Sequence, residues 1–284
     1  GYSLPQGGGN VNVIANLFSD NKLESTRISG YLQDVFKFRT KQGLFTLVGG
    51  VRGSYWSYNR EFIFSPRASI GFIPNFDQNL TFRLASGLYY HSLFFKESQR
   101  SIHVIAGGDY TFRASGRNFK VSADMYYKKL DNLNPYTVDN VKIRYYGENC
   151  AQGHAMGLDV KFFGEFVPGT DSWISFSLMK AEQSIRGSEY VPMPNSQGYN
   201  VSLFFQDYFP GYKRVKLNLK GVLSGGLPVT APRTGYEDGY FRTPTYKRVD
   251  LGFSYQLAGG TDAIMDRGFF RNLKNIWLGL DIFN

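Results

Sequence analysis

The sequence predicts an all-β fold: a transmembrane antiparallel β-barrel to which this chain contributes about twelve strands. Three observations predict it. Apolar residues recur at period two along most of the chain, and runs with helical spacing are almost absent. Short turns rich in Gly, Pro, Asn or Asp alternate with longer polar connections. No apolar run approaches the roughly 20 residues of a membrane-crossing helix, and a mean hydropathy of −0.30 suits strands whose two faces average out.

The strands follow in order. In 27–39, Ile28, Gly30, Leu32, Phe36 and Phe38 alternate with Arg27, Ser29, Tyr31, Gln33, Lys37 and Arg39. Asp34 breaks this parity, which predicts either a bulge nearby or a position already at the membrane interface. Similar segments lie near 44–57 and 66–73. In 80–88, Leu80, Phe82, Leu84 and Leu88 oppose Thr81, Arg83, Ala85 and Gly87. After a segment near 101–113, Phe119, Val121, Ala123, Met125 and Tyr127 oppose Lys120, Ser122, Asp124, Tyr126 and Lys128. Segments near 155–163, 173–181 and 198–208 come next. Val215, Leu217 and Leu219 then oppose Lys216, Asn218 and Lys220. Val249, Leu251, Phe253, Tyr255 and Leu257 oppose Arg248, Asp250, Gly252, Ser254 and Gln256, and a last strand spans 276–283. Strands of roughly 8–14 residues exceed the 5–6 usual in soluble sheets and suit a bilayer.

The connections alternate in length. Short ones fall at 41–43, 74–79, 116–118, 168–171 and 210–211. Long ones fall at 58–65, 91–100, 131–153, 182–197 and 224–244. This is the pattern of an outer-membrane barrel of a Gram-negative bacterium, with brief periplasmic turns and long external loops. The connection 258–275 falls on the short side yet is long, and reads as a periplasmic insertion. Residues 1–26 read as the end of an external loop with a fragment at 11–18. In the last strand Ile276, Leu278, Leu280 and Ile282 lead to Asn284 rather than to an aromatic residue. Both ends therefore read as an excised barrel segment.

Parity assigns the faces. Leu80, Phe82, Leu84, Val121, Met125, Leu217, Leu219, Val249, Leu251 and Phe253 are expected to face lipid. Arg67, Arg83, Arg113, Lys120, Lys128, Lys216, Lys220 and Arg248 are expected to line the lumen, with Arg27, Lys37 and Arg39. Fewer acids share that face, chiefly Asp109, Asp124, Asp159 and Asp250. Two readings fit: ion pairing across strands, or a basic lumen that favours anionic solutes or pairs with an acidic plug. Tyr55, Trp56, Tyr58, Tyr89, Tyr90, Tyr145, Tyr146, Trp173, Tyr208 and Tyr246 cluster at strand ends, as a membrane–water girdle would. In a soluble β-sandwich the apolar face would instead be a covered core.

Chemistry is sparse, and no enzyme and no cofactor are expected. The formal net charge of +9 is spread over strands and follows no nucleic-acid motif. His91, His103 and His154 lack metal-ligand spacing. Ser92 beside His91 and Ser101 beside His103 are chance adjacencies, and no G-x-S-x-G motif occurs. Gly225-Gly226 and Gly259-Gly260 form no phosphate loop. The single cysteine, Cys150, excludes an intrachain disulfide.

Several segments resemble consecutive barrel strands of TonB-dependent outer-membrane receptors, most closely those of Bacteroidetes-type bacteria. They are 30–34 (GYLQD), 65–69 (SPRAS), 81–90 (TFRLASGLYY), 199–208 (YNVSLFFQDY), 226–228 (GLP), 241–250 (FRTPTYKRVD) and 277–284 (WLGLDIFN). The resemblance covers about 28–284. It implies roughly the second half of a 22-stranded barrel, with an N-terminal plug domain and the TonB system as partners outside this chain. It implies import of a bulky, scarce nutrient of the siderophore, cobalamin or oligosaccharide class, with ligand contacts from external loops. No individual ligand-binding residue carries over. Alternatives are a scaffold barrel in a complex with a surface lipoprotein, and a self-contained small barrel acting as translocator or outer-membrane hydrolase.

Overall fold

The computed structural model describes residues 24–91, 98–139, 142–231, 234–259 and 273–284. The expected fragment at 11–18, Ser92, Gly260 and most of the 258–275 connection lie outside the described residues. Twelve long strands form the fold: β1 (Arg27–Arg39), β2 (Gly43–Trp56), β3 (Glu61–Pro74), β4 (Asn79–His91), β5 (Gln99–Ala114), β6 (Arg117–Leu133), β7 (Ala151–Val167), β8 (Thr170–Ile185), β9 (Tyr199–Phe209), β10 (Tyr212–Ser224), β11 (Tyr246–Gly259) and β12 (Asn275–Ile282). They make one antiparallel sheet in which each strand pairs with its sequence neighbours. Val191–Pro192 adds a short strand on β8. Among the described residues, β1 and β12 each pair on one side only, and the sole helical element is a 3-10 turn at Tyr236–Asp238.

Turn chemistry sets the hairpins. Ser115 and Gly116 take positive φ of 51° and 75°, as a two-residue turn matched to strand twist requires. Pro168 and Pro210 preset one turn residue, and Gly169 and Gly211 follow at φ 79° and 80°. With the connections at 40–42 and 75–78 they make five short connections, and all five share one rim of the sheet. At the other rim the long connection expected at 58–65 is instead a four-residue turn, because β3 already begins at Glu61. Phe62 and Phe64 alternate with Ile63 and Ser65, so the strand period extends back to the turn, where Arg60 adopts φ 55°. The remaining long connections hold at 92–98, 134–150, 186–198 and 225–245, the first three trimmed by strands that run further than expected. Asp34 brings no bulge: β1 and β2 stay in continuous register from Arg27↔Trp56 to Arg39↔Leu44.

Register carries parity across the whole sheet. Leu80 faces Tyr110, and the row continues through Val121, Phe162, Ile174, Leu203, Gly221 and Val249. All ten residues expected to face lipid share this apolar face. The eight expected lumen cations all share the opposite, polar face. The apolar face is bare: Phe82 is 48% exposed, Met125 64% and Leu280 63%. Among the described residues no second sheet or helix covers it, so the layered sandwich core is not formed. The buried apolar side chains lie toward the rims, at Trp56, Ile63, Ala151, Ala181, Ile185, Val191, Tyr236 and Ala258.

The aromatic girdle differs from expectation. Trp56, Tyr89, Trp173, Tyr208 and Tyr246 have the parity of the cations and belong to the polar face. Tyr145 and Tyr146 belong to a loop. Of the expected set, Tyr55 and Tyr90 sit on the apolar face at strand ends. A belt does exist there, but it is made of phenylalanine at the short-turn rim. Phe38 stacks on Phe45 (centroids 5.2 Å), Phe45 on Phe72 (4.4 Å), Phe112 on Phe119 (5.7 Å) and Phe119 on Phe162 (5.7 Å).

Candidate functional site

The polar face carries the differentiated chemistry. Arg83 on β4 reaches over β5 to pair with Asp109 and with Asp124 at 3.1 Å. Gly107 lies under that reach, and a Cβ there would stand 1.9 Å from Asp124 Oδ1. Lys120 approaches Asp109 at 3.3 Å, and the Ser122 hydroxyl donates to the same carboxylate at 2.6 Å. Lys220 pairs with Asp281 at 3.5 Å, and Arg248 Nε donates to Asp250 at 2.9 Å. The expected cross-strand ion pairing therefore holds for Arg83, Lys120 and Lys220, while Arg248 pairs within its own strand.

Three of the other expected cations lie over rings. Arg67 sits 4.9 Å from the Tyr89 centroid and Lys128 5.2 Å from that of Tyr126. Lys216 lies between Tyr208 (5.2 Å) and Trp277 (4.8 Å). Lys161, left out of the sequence-based set although it shares the parity of Asp159, lies over Trp173 (4.7 Å) and Phe163 (5.6 Å). Arg113 stands exposed on this face near the Ser115–Gly116 turn, opposite Asn118. Lys120, Phe163, Trp173, Phe204, Lys220 and Asp250 are successive register partners across β6 to β11, a row that starts near the short-turn rim at Lys120 and ends nearer the long-connection rim at Asp250. Within this row Lys120 and Lys220 are paired with Asp109 and Asp281, whereas Lys161 and Lys216 beside it lie over rings, which hold a cation without adding negative charge.

Three loops meet at the long-connection rim. Loop 134–150 carries a ribbon of Tyr136–Asp139 against Lys142–Tyr145. Loop 225–245 carries a ribbon of Pro228–Val229 against Phe241–Arg242. Loop 186–198 folds back through Val191–Pro192 onto β8. Tyr146 donates to Glu237 Oε1 at 2.9 Å, joining two loops 91 residues apart. Arg242 donates to the carbonyls of Ser196 (2.6 Å) and Gly226 (3.0 Å). Tyr236, 2% exposed, donates to the Pro228 carbonyl at 3.1 Å. Burial, and then the Glu237 carboxylate, pushes the Tyr146 phenol up to about 12. Burial raises Tyr136 and Tyr236 as well. Between the two largest loops lies a cleft of about 240 Å³ lined by Thr137, Arg144, Tyr146, Thr230 and Thr234. Sequence reading placed these loops outside the barrel but not against one another, since nothing local encodes contacts over that separation.

The histidines stand in separate places on the sheet. Ser101 Oγ lies 3.0 Å from His103 Nε2, but the residue opposite His103 in register is Lys128, a cation where a catalytic base would need an orienting acid. His154 lies 3.4 Å from Glu182, and Tyr190 packs on its ring at 5.2 Å. Among the described residues no three His, Cys, Asp or Glu side chains come together as metal ligands. Compared with protein-family models and with curated proteins, the sequence finds no match.

Proposed function

We propose that this chain is part of the barrel of an outer-membrane transport protein of the TonB-dependent receptor type. On this reading it takes up a bulky, scarce nutrient at the capped loops and passes it along the polar face without covalent chemistry. The observation that carries the reading is the bare apolar face. A soluble protein rarely leaves more than a few hundred Å² of contiguous apolar surface in water, and this face extends over twelve strands.

Its height fits a bilayer. On β5 the apolar face runs from Ile102 to Phe112, ten residue steps, or about 34 Å along the strand. At a barrel tilt of ~40° this is roughly 26 Å of height, against a lipid band of ~25 Å. In a closed barrel β1 and β12 would each gain a neighbour, the polar face would line the lumen, and the loop cap would stand at the external mouth. A plug domain and the TonB system complete the machine on this reading. The test is outer-membrane fractionation with intact-mass measurement of the native polypeptide. Recovery in the membrane fraction at two to three times the mass of this chain is expected, since ~22 strands and a plug need it. Recovery as a soluble monomer overturns the reading. If nutrient uptake by cells proves independent of the energising partner, a scaffold role beside a surface lipoprotein replaces transport.

A further inference from the structure

The apolar face is not uniform. Over β5 to β8 it opens into a groove of about 640 Å³, within the roughly 300–1,000 Å³ of small-molecule sites. Ala106 leaves the space, and Met125, Met156, Leu158 and Leu178 wall it. Two of the walls are methionine, whose unbranched thioether side chains adapt to an irregular occupant. The upper end of the groove is Lys180. The next rows on the same face hold Lys129 with His154, and then Arg100.

These cations are incompletely neutralised. Their acids are Asp131 and Glu182. Arg100 takes Asp131 at 3.0 Å, leaving Lys129 at 3.9 Å from that carboxylate and 58% exposed. Lys180 lies 2.9 Å from Glu182, is 61% exposed, and shares that acid with His154 at 3.4 Å. Three permanent cations thus stand over two acids at the mouth of an otherwise apolar groove. A lysine on a lipid-directed face is costly in hydrocarbon but favourable at the headgroup level, where it meets phosphate.

We propose that this groove holds one membrane lipid with a phosphorylated headgroup, its acyl chain between Met125 and Leu178 and its phosphate at Lys129 and Lys180. The inference rests on the membrane reading above and adds a specific lipid site to it. Two features favour a lipid over a protein partner: the groove lies within the apolar band, and its charge stands at one end only.

The test uses the full-length protein in phosphatidylcholine vesicles doped with either phosphatidic acid or diacylglycerol of the same chain length. Flotation reports membrane insertion, and native mass spectrometry after extraction reports retained lipid. Wild type is expected to float and to retain one phosphatidic acid in preference to diacylglycerol. The double variant Lys129→Gln/Lys180→Gln is expected to float equally and to lose about tenfold in phosphatidic acid retention. Ala106→Phe, which fills the groove with both lysines intact, is expected to lose retention too. Equal retention of the two lipids by wild type, or unchanged retention in the double variant, overturns the lipid site while leaving the membrane reading intact. Failure of wild type to float overturns both.

Discussion

Gly107 is the tightest point of the polar face. Its missing side chain is what lets Arg83 and Asp124 meet above β5, since a Cβ would also stand 2.7 Å from the Ala123 carbonyl. Gly107→Val is therefore expected to cost about 1–3 kcal/mol through overpacking, read as a lower urea midpoint at unchanged slope in micelles. Wild-type stability in this variant would mean that the Arg83 network is not formed. In the cap, Tyr146 is held neutral by burial and by Glu237. Its folded pKa of about 12 lies above the ordinary value of 10.0, so the folded loops retain a proton that the unfolded chain releases. The stabilisation is complete below pH 10 and disappears as pH rises through 12. Tyrosinate absorbance should show a late-titrating phenol that Tyr146→Phe removes, with the cap becoming protease-sensitive only above pH 10. An unchanged titration in that variant would contradict the loop contact.

At the scale of elements, the alternation of short and long connections is the feature with topological content. Lys142 lies on the ribbon of the 134–150 loop, and Asp171 lies beside the Pro168–Gly169 turn at the opposite rim. With Cys150→Ser as background, Lys142→Cys is expected to react with a membrane-impermeant maleimide on intact cells. Asp171→Cys should react only after the outer membrane is opened. Equal labelling of both on intact cells would remove the proposed orientation. The strands themselves were legible where alternation was strict, as in 80–88 and 119–128, although β4 runs on to His91 and β6 to Leu133. They failed at 58–65, where Glu61, a turn-like Asn59 and a polar Ser65 hid the Phe62/Phe64 period. One tight turn there replaces an expected loop, because a positive φ at Arg60 reverses the chain without glycine.

For the whole molecule, the decisive property is which solvent meets the apolar face. Met125, 64% exposed in the middle of that face, separates the cases. In a bilayer Met125→Arg should cost about 2–4 kcal/mol, measured as the folding equilibrium in lipid vesicles. With water on that face the same change would be nearly neutral and would raise solubility. The phenylalanine belt argues the same way. Phe38, Phe45, Phe72, Phe112, Phe119 and Phe162 make ring contacts along the short-turn rim, where tyrosine and tryptophan were expected. Trp173 and Tyr208 had the right position along their strands and the wrong parity for lipid.

The sequence by itself determined the class of the fold and the membership of each face. Both follow from side-chain alternation, which is local and survives any continuous register: Leu217 and Lys216 must point apart whatever strand lies beside them. Only the tertiary structure decided how the polar face divides its charge. Whether Lys120 meets Asp109, or Lys216 lies between Tyr208 and Trp277, depends on the register of separate strands and on how far long side chains reach across them. The cap and the groove belong to the same category. Tyr146 and Glu237 come together over 91 residues, and Ala106 becomes a gap only when Met125 and Leu158 stand beside it.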